Sequence, residues 1–222
     1  MQFPTKHKSN IYITFPSVTI KIDVSSGKSA TYIDVVENGR RLSSFFEQKG
    51  YQFGDRISIH TPNCLEYSYS IMGTLASGLT LNTVNSAYTN YELKQLLNGS
   101  TPKVLVTSGK QLEQARQCVD GTDTDLLICV DDVVVNDSGV VNLSDILANG
   151  DSGFTKDLSN FNPKEETAFL MYSSGTTGLP KGVKISHHGF LANTLQLTDR
   201  SEETATMDSL LLLPMFHIGG LR

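Results

Sequence analysis

The chain has 222 residues, 39% of them hydrophobic and 18% charged, with a formal net charge of −5; at roughly 150 residues per domain this is one domain or somewhat more, large enough for a real core. A charged fraction below the usual ~25%, with 18 glycines and 7 prolines, excludes disordered and fibrous classes. The acidic balance, with no basic run longer than Arg40-Arg41, leaves no electrostatic footprint for a nucleic-acid backbone.

The first ten residues lack the apolar core of a signal peptide. Three cysteines, Cys64, Cys118 and Cys129, are odd in number and without metal-type spacing, which points to a reducing compartment and to buried, inert thiols. Residues 30–49 carry Val35, Leu42, Phe45 and Phe46 on approximately one face and stop at Gly50, which predicts an amphipathic helix. After a turn at Gly54-Asp55, residues 56–60 alternate as a short strand, and Asn63 is expected to cap a helix over 65–77. The uncharged stretch 67–91 is broken by Gly73, Gly78, Asn82 and Asn85, whereas a spanning helix needs ~20 mostly apolar residues. It reads as a buried helix followed by a loop. Further on, a helix over 90–97, a strand over 103–107, a helix over 111–119 and a strand over 126–130 are expected. Strands alternating with helices predict an α/β fold with a largely parallel sheet. Residues 131–162, rich in Asp, Asn, Ser and Gly, read as an excursion before a strand over 167–172.

That strand runs into Ser173-Ser174-Gly175-Thr176-Thr177-Gly178-Leu179-Pro180-Lys181-Gly182-Val183. Glycines let the backbone turn and bring N–H groups close to an anion, hydroxyls donate further bonds, and a lysine supplies the compact charge that polyphosphate attracts. A strand resumes over 182–185, so the loop joins two strands, and no Gly-Lys-Ser/Thr triplet opens a helix as a Walker-type loop requires. Kinase and GTPase chemistry are thereby disfavoured. His187-His188 has no third ligand nearby in sequence and is expected on a solvated helix face with Ser186 as N-cap.

The segment 173–183 resembles, at every position, the signature phosphate loop of the AMP-forming adenylate ligases, the superfamily of acyl-CoA synthetases, coumarate:CoA ligases, luciferases and peptide-synthetase adenylation domains. The segment 209–217, Ser-Leu-Leu-Leu-Leu-Pro-Met-Phe-His, resembles the family's next block, a buried strand ending in a turn at the acyl pocket. Gly54-Asp55-Arg56, Pro62-Asn63 and the stretch from Gly78 to Leu93 resemble its early blocks. The resemblance implies stacked, mostly parallel sheets with flanking helices, and makes residues 1–222 an incomplete large N-terminal domain without the lysine-bearing C-terminal domain.

By the same resemblance, ATP with Mg2+ activates a carboxylic acid as its acyl-adenylate, and coenzyme A takes the acyl group. Ser173, Ser174, Gly175, Thr176, Thr177, Gly178 and Lys181 hold the phosphates, with Thr177 and Lys181 catalytic. His217 lies beside the reacting carboxylate, and Gly219 and Gly220 border the acyl group. Plant coumarate ligases carry an aromatic residue where Gly219 stands, so a fatty or other bulky acid is as compatible as a phenylpropanoid. Luciferase-like and carrier-loading activities share every motif, and a truncated non-catalytic product is the reading from another class. No residue set has metal-ligand spacing, no transmembrane segment is predicted, and an intracellular setting, cytoplasmic or peroxisomal, is expected.

Overall fold

The structure, a computed structural model, describes residues 19–22, 27–133, 139–173, 181–198, 211 and 213–221; at 19–22, 173 and 198 it describes the backbone alone. The chain opens with an antiparallel ribbon of β1 (Thr19–Ile22) and β2 (Ser29–Thr31). Thr31 then caps α1 (Tyr32–Gln48): its hydroxyl accepts from the Asp34 N–H, while the Asp34 carboxylate accepts from the Thr31 N–H and hydroxyl at 2.7 and 2.6 Å. These bonds, the hydroxyl first, hold the Asp34 carboxyl below its ordinary range. Val36, Gly39, Leu42 and Phe46 form the buried stripe of α1. Gly39 lies against Met72 and Gly73 against Leu42, and a Cβ at either would stand under 3 Å from its neighbour, so α1 and α2 (Leu65–Ala76) pack at close range.

Among the described residues, seven strands build the main sheet: β3 (Arg56–His60), β4 (Thr80–Thr83), β5 (Val104–Thr107), β6 (Leu126–Cys129), β7 (Val140–Asn142), β8 (Thr167–Ser173) and β9 (Lys181–Ser186). Their order is β7-β6-β5-β3-β4-β8-β9, parallel throughout except for the antiparallel last pair. One sheet face packs Ile57, Ile59, Leu81, Val106 and Ile128 against α1 and α2. The other packs Leu105, Leu127 and Cys129 against α3 (Asn90–Ser100) and α4 (Leu112–Val119). This is the expected α/β arrangement, a mostly parallel sheet between helices.

Several local expectations differ. β4 lies in the stretch read as a loop, yet it is a central strand with all four residues buried. Thr-Leu-Asn-Thr has no apolar run, and side-chain bonds tie it across the sheet: Asn82 Nδ2 donates to Ser58 Oγ at 2.8 Å and Thr80 Oγ1 to the Thr167 carbonyl at 2.9 Å, while the buried Asn82 Oδ1 has no partner among the described residues. The supposed excursion contains β7 and α5 (Leu143–Asn149), anchored by Leu143 and Ile146. Asn63 does not cap α2, whose N-cap is Cys64 without a side-chain bond; the Asn63 amide is engaged elsewhere, as described below. Cys118 and Cys129 are buried, and burial pushes both thiols up, but Cys64 is only half-buried because it stands at the helix mouth.

α6 (His187–Thr198) follows β9, and Ser186 caps it by accepting from the Gly189 N–H at 3.1 Å. Phe190 stacks on the buried Phe169 of β8, ring centroids 4.6 Å apart, which holds α6 to the sheet. His187 is not on a solvated face: its half-buried ring meets Phe161 edge-on at 4.9 Å, and burial lowers its pKa. No helix among the described residues is long and apolar enough to cross a membrane.

Candidate active site

Parallel strands deliver their last residues to one edge of the sheet, where ligands of open α/β folds bind. Here that edge carries His60, Thr83, Thr107 and Ser173. β8 and β9 form a hairpin in which Ser173 faces Lys181 and Tyr172 faces Gly182. The ladder thus closes on the two residues that bound the glycine- and threonine-rich loop. Ser174, Gly175, Thr176, Thr177 and Gly178 lie outside the described residues, as does the Ser173 side chain. The Lys181 side chain is exposed. Gly182 has a local reason: a Cβ there would stand 3.2 Å from Leu170 Cδ1 and 3.6 Å from the Tyr172 ring.

The second sequence-marked segment is a compact turn. The His217 N–H donates to the Pro214 carbonyl at 3.1 Å, and a short 3₁₀ turn (Ile218–Gly220) follows. Met215 is buried in the main core. Gly220 is also buried, and a Cβ there would lie 2.3 Å from the Pro214 carbonyl oxygen, so no side chain fits. His217 is exposed, and its Nδ1 accepts from the Gly219 N–H at 3.2 Å. In the neutral ring that bond leaves the proton on Nε2.

Two residues hold this turn that the sequence reading did not assign to it. Asn63 donates through Nδ2 to the Leu213 carbonyl at 3.0 Å and accepts at Oδ1 from the Met215 N–H at 2.7 Å. Thr83 Oγ1 donates to the Phe216 carbonyl at 2.7 Å. The expected buried strand before the turn is not seen in its described residues: the turn is held by these side chains from below, and Leu211 and Leu213 are 41% and 52% exposed. Since β4 pairs directly with β8, the structure brings the His217 turn and the Ser173–Lys181 closure to the same edge of adjacent strands. Among the described residues, no group of three or more His, Cys, Asp or Glu could hold a metal ion.

A family model described as AMP-binding enzyme matches residues 10–222. The chain is 34% identical over 217 residues to 4-coumarate--CoA ligase 4 of Arabidopsis thaliana, covering 92% of this chain and 37% of that protein. Among solved structures it is similar to ATP-bound MatB from Rhodopseudomonas palustris, with TM-score 0.80 and 25% identity over 95% of this chain and 40% of the other. A red-emitting luciferase from Phrixothrix hirtus gives TM-score 0.80 and 27% identity over 90% and 50%. The chain spans 35–38% of the length of curated relatives such as these coumarate ligases. With its sequence matched almost end to end and its sheet superposing on solved members, the chain belongs to the AMP-binding enzyme family.

Proposed function

We propose that the protein carrying this chain is an ATP-dependent acid:CoA ligase, which activates a carboxylic acid as its acyl-adenylate and passes the acyl group to the thiol of coenzyme A. The observation that carries this is that two sequence-marked segments lie at the same carboxyl edge of adjacent strands β4 and β8, the hairpin closed by Ser173 and Lys181 and the turn bearing His217. In this reading Ser173, Ser174, Gly175, Thr176, Thr177, Gly178 and Lys181 hold the β- and γ-phosphates of ATP, and Mg2+ accompanies the triphosphate.

The substrate carboxylate attacks the α-phosphorus, a carbonyl O–P bond forms, and pyrophosphate leaves with the electron pair of the bond that breaks. The thiol sulfur then attacks the acyl carbon and gives up its proton, the acyl carbon–oxygen bond to the phosphate breaks, and AMP leaves with that electron pair. Bringing carboxylate to phosphate sets two anions together, and at ~4 Å and an effective dielectric of ~20 each pair of unit charges repels by ~4 kcal/mol. Lys181 and the loop's donors offset this repulsion. With Nδ1 accepting from the Gly219 N–H, Nε2 of His217 is the nitrogen left to meet an oxygen on the carboxylate or α-phosphate.

The relatives named as 4-coumarate ligases support an aryl acid, while Gly219 in place of a ring leaves room for a fatty chain. Because Gly220 cannot carry a side chain, selection of the acyl group at this point falls to Gly219. A cytoplasmic or peroxisomal setting belongs to the same proposal.

The test is acid-dependent pyrophosphate release by the intact protein with ATP, Mg2+ and either 4-coumarate or hexadecanoate. Lys181→Ala lowers the rate by roughly 10²- to 10³-fold, the usual cost of one aligned donor; an unchanged rate removes Lys181 from the phosphate site.

A further inference from the structure

The position of His217 relative to the phosphate loop does not come from the chain that joins them. It comes from the sheet. Thr83 follows Asn82, which pairs with Leu170 of β8, and Ser173 stands three residues beyond Leu170 on the same strand. A hydroxyl bond from Thr83 to Phe216 therefore ties the residue before His217 to the strand that delivers the loop. Asn63 adds a second tie from the end of β3: its amide offers one donor and one acceptor to Leu213 and Met215, as the backbone of a neighbouring strand would. The anchors thus grip the backbone at 213, 215 and 216, and the imidazole stands one residue past the last of them.

We propose that Asn63 and Thr83 are positioning residues for adenylation, fixing His217 against the Ser173–Lys181 closure. Neither is a catalytic residue; each acts through the turn. This rests on the reading of His217 given above. A misplacement of about 1 Å at a reacting group costs on the order of 10²-fold in rate, so an anchor of this kind is visible in turnover even where it contributes little to stability.

Thr83 is buried and nearly isosteric with valine, so Thr83→Val removes the hydroxyl and little else, while Thr83→Ser keeps it. Asn63 is exposed, so Asn63→Ala leaves the core intact. The experiment measures pyrophosphate release by the intact protein with whichever of 4-coumarate and hexadecanoate it turns over faster, with the urea midpoint of each variant alongside. Thr83→Val and Asn63→Ala each lower kcat by roughly ten- to a hundredfold, with KM for ATP within about twofold, and Thr83→Ser stays within about threefold of the parent. In a His217→Ala background, Thr83→Val costs less than about twofold more, because residues acting as one unit are not additive.

Two results overturn the inference while leaving the proposed site intact: Thr83→Val and Asn63→Ala within about twofold of the parent, or Thr83→Val and Thr83→Ser equally impaired with equally lowered urea midpoints. If His217→Ala itself leaves kcat unchanged, the role proposed for His217 fails, and the inference falls with it.

Discussion

His60 ends β3 with no exposed surface, and burial drives its imidazole down to about 4. Its Nε2 lies 3.5 Å from the Gln111 amide nitrogen, which also donates to the Ser86 carbonyl at 2.6 Å. A ring facing an N–H donor accepts while neutral and is repelled once protonated. The folded chain therefore binds fewer protons at this site than the unfolded chain between about pH 4 and the ordinary histidine value near 6.5. Stability rises with pH across that window and is lost as pH falls, by on the order of 3 kcal/mol in full. His60→Leu is expected to flatten the fall in urea midpoint between pH 7 and pH 5. Parallel losses in parent and variant would assign the acid sensitivity to other groups. Neither this histidine nor the two anchors of the turn could be picked out from sequence, because what defines them is distant. Asn63 and Thr83 meet partners 150, 152 and 133 positions away, so Asn63 read as a local cap and Thr83 as loop. His217 and Lys181 stand out in the sequence because each sits within a contiguous motif, and the roles proposed for them rest on that motif.

At the scale of elements, legibility followed local signals. α1 was readable from its periodic stripe and its stop at Gly50, whose φ of 80° suits glycine. The Thr31–Asp34 box at its start makes the helix end a discrete contribution: Thr31→Ala is expected to lower stability by ~1 kcal/mol in urea titration, and no change would mean the α1 N-terminus is held by the ribbon alone. β4 escaped notice because a strand buried on both faces is normally an apolar run, whereas here the Asn82 amide nitrogen and the two threonine hydroxyls donate to Ser58, Thr167 and Phe216. β7 escaped because three residues carry no period. Ser186 was legible as a cap, but the packing of His187 on Phe161 was not, since the aromatic partner lies 26 positions upstream in a segment without periodicity.

Across the whole molecule, α1 and α2 cover one face of the sheet and α3 and α4 the other, while the last helix is only partly covered. Leu191 and Leu195, one turn apart on α6, are each 56% exposed. Apolar side chains clustered on one helix face mark a surface that ordinarily meets other protein. The 222-residue polypeptide expressed by itself is expected to associate in sedimentation velocity, and Leu191→Lys with Leu195→Lys to return it toward the monomer; a monomeric parent would show that this face needs no cover.

The antiparallel sense of β9 also decides what changes of length the segment between β8 and β9 can tolerate. Because Ser173 and Lys181 are ladder partners, the ends of the intervening segment are fixed to each other, and extra residues between them would lengthen the arch without displacing the lysine. Loss of one residue within β9 would do the opposite. Strand side chains alternate between faces, so a single-step slip turns every one of them over, and the ammonium of Lys181 would be carried to the far side of the sheet while the arch stayed whole. The phase of β9, more than the length of the loop, sets where that charge stands.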